Sequence, residues 1–141
     1  MIDKYSPVFS ISVVAKMINV SVQTVRLYEE KGLILPYKSN KGTRKYSLHD
    51  VNRLKIIRRM ITTQGLNLNG VRLLLSFIPC WCFKGGFDED CQQCPAGSVT
   101  FEPCWTLENV GKKCLNQDCR ACPVYRLEIN EKNIKDFLAR Q

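Results

Sequence analysis

Apolar residues at Ile11, Val14, Ala15 and Ile18 recur at i, i+3, i+4 and i+7, the spacing of one buried helix face, and Ser10 or Ser12 stands where an N-cap belongs. Asn19, Val20 and Ser21 break the pattern. A second helix is expected from Val22 to Lys31, with Ser21 as its N-cap and Gly32 as its C′ stop. Val22, Val25 and Leu27 read as its core positions. Two short helices about a tight turn make a helix-turn-helix, whose second helix enters a DNA major groove. After Leu33–Pro36, the run from Tyr37 to Tyr46 places two extended pieces around Asn40 and Gly42, a β-hairpin wing. A third helix starts at Ser47, with Asp50 as the acidic member of a capping box, and runs to about Gln64. Val51, Leu54, Ile57 and Ile61 face inward on it, Arg53, Arg58 and Arg59 outward, and Gly65 ends it. A fourth helix is expected from Leu68 to Phe77, stopped by Pro79. Helical periodicity returns from Val124 to Ala139, with Val124, Leu127, Ile134 and Leu138 on one face and Phe137 beside them.

Charge changes this picture. Residues 1–76 carry 13 Lys+Arg against 4 Asp+Glu, whereas residues 77–141 carry 8 against 9, so the whole basic excess lies in the first half. A polyanion recruits such a face, because its neutralisation releases counterions. The cysteines divide the other way: all eight fall between Cys80 and Cys122. A basic, thiol-free module is thus followed by a compact thiol-rich one, with the seam near Pro79. No apolar run approaches the roughly 18 residues of a membrane span and the first residues lack a secretory core, so the expectation is a cytoplasmic chain without a membrane partner.

Thr24-Val25-Arg26-Leu27-Tyr28-Glu29, then Lys31-Gly32-Leu33, then Arg44-Lys45-Tyr46 and the long helix after it, resemble the winged-helix domain of MerR-family transcription regulators. Ser12-Val13-Val14-Ala15 and Leu68-Asn69-Gly70-Val71 are closest to the heat-shock-repressor branch, HspR. The resemblance covers about residues 8–76. It implies a homodimer that reads a pseudo-palindromic promoter element in double-stranded DNA, with RNA polymerase as a further partner. Gln23, Thr24 and Arg26 lie early on the recognition helix, where side chains reach base edges and phosphates, and Arg is the commonest reader of guanine. By the resemblance, Tyr28 sits at the groove wall and gives its hydroxyl to phosphate. Lys41, Arg44 and Tyr46 of the wing would contact the backbone, which positions a protein without specifying sequence. Tyr28 and Tyr46 can alternatively pack under the wing, and Lys38, Lys41 and Lys45 can simply be solvated.

The cysteines form an approximate internal repeat. Pro79-Cys80-Trp81 recurs as Pro103-Cys104-Trp105, and Cys91-Gln92-Gln93-Cys94-Pro95 as Cys119-Arg120-Ala121-Cys122-Pro123, with Cys82 and Cys114 between. The offset is 24 residues at the start of the unit and 28 at its end. Four thiolates per unit suit a tetrahedral ion, and a Cys-x-x-Cys turn brings two sulfurs to one metal. Units this short bury little core, so ligation would supply their folding energy. The sequential partition is Cys80, Cys82, Cys91, Cys94 against Cys104, Cys114, Cys119, Cys122; an interleaved one stays open, because Cys80-x-Cys82 is tight for one ion. Two Zn²⁺ in Cys₄ sites are favoured. A [4Fe–4S] cluster is the alternative, since Pro95 and Pro123 follow the last cysteine of each unit as in ferredoxins. The doubled Cys-Trp pattern also resembles the small two-CW cysteine module. Eight thiolates and two Zn²⁺ would lower the formal +8 to about +4 and leave the second half acidic, a poor surface for DNA. Trp81 and Trp105 read as lids over the knuckles.

The expected fold is mainly α, in three parts. Residues 1–77 form a MerR-type winged helix-turn-helix domain, 78–123 a cysteine-rich duplicated metal-binding module, and 124–141 a C-terminal helix. MerR-type proteins usually dimerise through a long helix directly after the DNA-binding domain. Here Pro79 and the cysteines occupy that place, so the last helix is the candidate for dimer contact. Competing classes are a thiol or iron–sulfur redox protein, and a regulator whose zinc module is purely a protein-interaction element. An enzyme is disfavoured: His49 is the one histidine, and no phosphate loop, dinucleotide fingerprint or Ser/His/Asp set is present. The acidic runs Glu29-Glu30 and Asp88-Glu89-Asp90 read as solvated.

Overall fold

In the computed structural model the described residues are 3–78, 80, 85–97, 102–112, 114, 118–127 and 139. They divide into two compact units, 1–71 and 72–141. The division falls inside a helix and ahead of Pro79: Val71 is fully buried, while the next residue, Arg72, pairs with Glu102 of the second unit at 2.9 Å.

The first unit runs β1 (Phe9–Ser10), α1 (Ile11–Met17), α2 (Val22–Glu30), β2 (Tyr37–Lys38), β3 (Arg44–Tyr46) and α3 (Leu48–Thr62), then enters α4 (Leu68–Ser76). Its helix ends are written in local chemistry. Ser10 Oγ accepts the Val13 amide at α1, and Ser21 Oγ accepts the Thr24 amide at α2. Between them the chain turns on Asn19 (φ 58°), with Val20 N–H donating to Ala15 O and Asn19 N–H to Lys16 O. Gly32 (φ 75°) closes α2 in the same way, with Leu33 N–H on Tyr28 O and Gly32 N–H on Glu29 O. Both are Schellman closures, which need a residue that tolerates the left-handed region. At α3 the capping box is complete: Asp50 N–H donates to Ser47 Oγ at 3.1 Å and Ser47 N–H to the Asp50 carboxylate at 2.8 Å.

The sheet order is β1-β3-β2, antiparallel throughout, with Phe9 opposite Tyr46 and Tyr37 opposite Lys45. The hairpin was expected; β1 was not. The core of this unit includes Val14, Val25, Leu33, Ile34, Tyr46, Val51, Leu54 and Ile57. Each such side chain, fully buried, contributes about 1.5–3 kcal/mol. Three inward or outward assignments change. Leu27 is 38% exposed, and Ile61 yields its core place to Met60. Arg53, expected outside, is buried, because its Nε donates to Leu33 O at 2.8 Å and satisfies a carbonyl of the loop after α2.

The second unit is built from short helical turns that repeat. Asp88 caps α5 (Glu89–Gln93) by accepting the Cys91 amide; Cys94 then extends (φ −75°, ψ 133°) and Pro95–Gly97 forms a 3₁₀ turn. In the second copy Asp118 caps a 3₁₀ turn, Cys119–Ala121; Cys122 extends (φ −74°, ψ 133°) and Pro123 opens α6 (Pro123–Arg126). The two Cys-x-x-Cys-Pro units thus share one backbone path. Cys104–Thr106 is a further 3₁₀ turn. The helix expected from Val124 to Ala139 is interrupted, since α6 ends at Arg126. Val124 and Tyr125 are both buried, and Leu127 leaves the helix with ψ 125°. Ile134, Phe137 and Leu138 lie outside the described residues, as do Pro79, Trp81 and Cys82.

Candidate nucleic-acid interface and cysteine cavity

α2 is pinned from below by Val25 and Tyr28, which turns Gln23 and Arg26 outward to solvent. Thr24 is half-buried, with its hydroxyl 2.9 Å from that of Ser21. Lys38 and Lys41 are exposed on the wing and Lys45 is half-buried. The wing tip is tight: Gly42 (φ 79°) donates its N–H to Ser39 O, and Ser39 N–H donates to Thr43 O.

The two tyrosines are buried, with their hydroxyls on protein partners. Tyr28 is only 2% exposed and its hydroxyl accepts Arg58 Nη1 at 3.3 Å. Tyr46 is fully buried and its hydroxyl donates to Glu29 Oε2 at 3.2 Å. Burial, then Glu29, pushes the Tyr46 phenol well above its ordinary range. Arg44 Nε lies 2.9 Å from both Glu29 oxygens, and the hydrogen bond to that carboxylate, then its charge, raises the guanidinium further. Glu29, expected to be solvated, has a side chain only 14% exposed. It ties the recognition helix to the base of the wing through two partners on β3. Its place four residues after Val25, on the inner edge of α2, is the signal that sequence reading passed over.

Asp88 and Asp90, also expected to be solvated, are structural: Asp88 caps α5 and Asp90 accepts the Lys112 amide at 2.9 Å. They serve a cluster of thiols. Seven cysteines are described. Five of them, Cys80, Cys104, Cys114, Cys119 and Cys122, line one cavity of about 60 Å³ with Trp105, Leu107, Val110 and Tyr125. Trp105 stands edge-on to Tyr125 at 5.1 Å and lines the cavity. Cys91 is buried; Cys94 Sγ accepts the Gly111 amide at 3.2 Å. Burial pushes the Cys80 thiol up to about 11, with Cys114, Cys94 and Cys91 adding to it. Burial pushes Cys104 up to about 12, helped by Cys80, Cys122, Cys114 and Cys119. Among the described residues, no three His, Cys, Asp or Glu side chains are already grouped as a metal cage. Cys82 lies outside the described residues.

Residues 9–78 match the family described as MerR HTH family regulatory protein. They are a MerR-family helix-turn-helix domain. The MerR-type part is similar to the HTH-type transcriptional regulator TnrA of Bacillus subtilis, 49% identical over 51 residues, which is 36% of this chain and 46% of TnrA. It is 31% identical over 70 residues to the putative heat shock protein HspR of Streptomyces coelicolor, 50% of this chain and 46% of that one. With CueR of Vibrio cholerae, also an HTH-type transcriptional regulator, identity is 43% over 68 residues and 48% of each chain. The chain spans about half the length of the curated relatives it matches. MerR-family regulators bind DNA, and among the described residues no helix is long and apolar enough to cross a membrane.

Proposed function

We propose that this chain is a transcription regulator that, as a homodimer, reads a specific double-stranded DNA site with α2 and the wing. The observation that carries the reading is the outward presentation of Gln23 and Arg26 on a helix whose other face is locked in the core, beside the exposed wing lysines. Base-edge readers and phosphate binders are then held in one register by Glu29. Gln23, Thr24 and Arg26 contact bases and nearby phosphates, whereas Lys41 and the free edge of Arg44 contact the backbone. Tyr28 and Tyr46 support the surface from beneath. A gel shift against fragments of the source genome, repeated across a salt series, tests this. A regulator retains preferred fragments and loses affinity steeply with salt, since each neutralised phosphate adds about 0.9 to the slope. Binding of no fragment, or of all fragments alike, contradicts it.

The thiol-rich half is proposed to hold a thiolate-bound metal or cluster. The donor set fits a soft ion: thiols without imidazole, in an apolar cavity, with a backbone amide on the Cys94 sulfur and capped turns presenting the Cys-x-x-Cys pairs. The bound ion would supply the positive charge that lets crowded, buried thiols ionise, and would draw the open cage shut. Zinc in two four-thiolate sites is favoured; iron–sulfur is the second reading, supported by Pro95 and Pro123 after each closing cysteine. Elemental analysis with a visible spectrum, on protein purified without air, separates them.

A further inference from the structure

Two consecutive amides of the second copy land on the first. Gly111 N–H donates to Cys94 Sγ at 3.2 Å, and Lys112 N–H donates to Asp90 Oδ1 at 2.9 Å. Asp90 is itself fixed on α5, where its carbonyl accepts the Cys94 amide at 3.0 Å. The approach is sterically specific, since a Cβ at Gly111 would lie 2.7 Å from Asp90 Oδ2. The same turn, closed by Cys114 N–H on Gly111 O, then delivers Cys114. Leu107, Val110 and Cys114 of this segment line the five-thiol cavity. Cys80 enters that cavity from the first copy and has Cys114, Cys94 and Cys91 as its thiol neighbours. One short segment thus touches the Cys91/Cys94 pair on one side and the cavity on the other. An amide binds a thiolate more strongly than a thiol, because the acceptor is then charged. Ionisation of Cys94 on metal binding therefore tightens its hold on Gly111 and on the turn that carries Cys114.

We propose that Gly111 couples the two halves of the thiol-rich module, so that soft metal ions fill the Cys91/Cys94 pair and the five-thiol cavity cooperatively. This rests on the reading of the module as a metal holder. Occupation of the pair orders the turn before the cavity is filled, which removes an ordering cost from the second event, and linkage makes the help reciprocal. The coupling runs through backbone amides, so the Lys112 side chain takes no part.

The test titrates Zn²⁺ into reduced full-length protein and counts ions per chain by native mass spectrometry. At half-saturation, empty and fully loaded chains should dominate, with singly loaded chains below the share expected of independent sites. Gly111→Ala and Asp90→Ala should each raise the singly loaded fraction to at least that share, whereas Lys112→Ala should leave the wild-type distribution. In Cys91→Ser/Cys94→Ser, the cavity's zinc affinity, read against a chromophoric chelator, should fall about tenfold below the wild-type value. Singly loaded wild-type chains at or above the independent share, a capacity of one ion, or an unchanged affinity in the double variant would overturn the coupling and leave the metal reading intact. Uptake of no zinc would defeat the metal reading itself and the coupling with it. The wild-type distribution decides even where a variant fails to fold.

Discussion

Arg26 and Glu29 sit one turn apart on α2 and do different work. Arg26 is exposed and aimed outward, so Arg26→Ala should leave the fold intact and weaken binding to the preferred duplex by about 1–3 kcal/mol, with relaxed preference at one base position. Anisotropy titration against the matched and a singly altered duplex checks this. Glu29 is turned inward, where it holds Arg44 and the Tyr46 hydroxyl. Glu29→Gln keeps the shape but removes the charge, and should lower affinity several-fold for every sequence alike, with an unchanged far-ultraviolet dichroism. An effect confined to one base position would contradict that role. Sequence periodicity could not reveal Glu29, since its partners lie 15 and 17 residues away on another element. Arg53 was misplaced for a related reason. Charge suggests exposure, but a long side chain can bury its stem and satisfy a carbonyl, here Leu33 O.

The helices of the first unit were legible because their ends are spelled locally: Ser21 and Gly32 for α2, Ser47 with Asp50 for α3. β1 was not, because two residues cannot show an alternation, and Phe9–Ser10 becomes a strand only by pairing with β3. The repeat was also legible, and Cys94 and Cys122 share one extended conformation ahead of prolines at matched positions, although the capping aspartates stand three residues before Cys91 and one before Cys119. Which thiols meet was not, since period alone does not gather Cys80 of the first copy with Cys104, Cys114, Cys119 and Cys122 of the second around one cavity. The first turn depends on Gly97, where a Cβ would collide with the Cys91 carbonyl oxygen. Gly97→Ala should therefore displace that carbonyl and cut metal uptake while sparing duplex binding. Elemental analysis beside a gel shift checks both, and uptake at the wild-type level would show that the turn tolerates the change.

The whole molecule joins a unit that folds around its own apolar core to one whose buried described residues are few, Leu75, Ile78, Pro103, Val124 and Tyr125 with the thiols Cys80 and Cys91. Stability should be divided accordingly. Chelation of the reduced protein should abolish amide protection across 86–126 and leave it across 11–62, as read by hydrogen exchange with mass spectrometry. Uniform protection in both states would remove the metal from the folding of the second unit. The reading of the first unit stands or falls on sequence discrimination, and selection from a pool of randomised duplexes measures it most directly. We predict enrichment of one pseudo-palindromic site, lost when Arg26 is replaced by Ala; a pool that stays random, or converges identically without Arg26, would contradict the assignment of α2 as the reader.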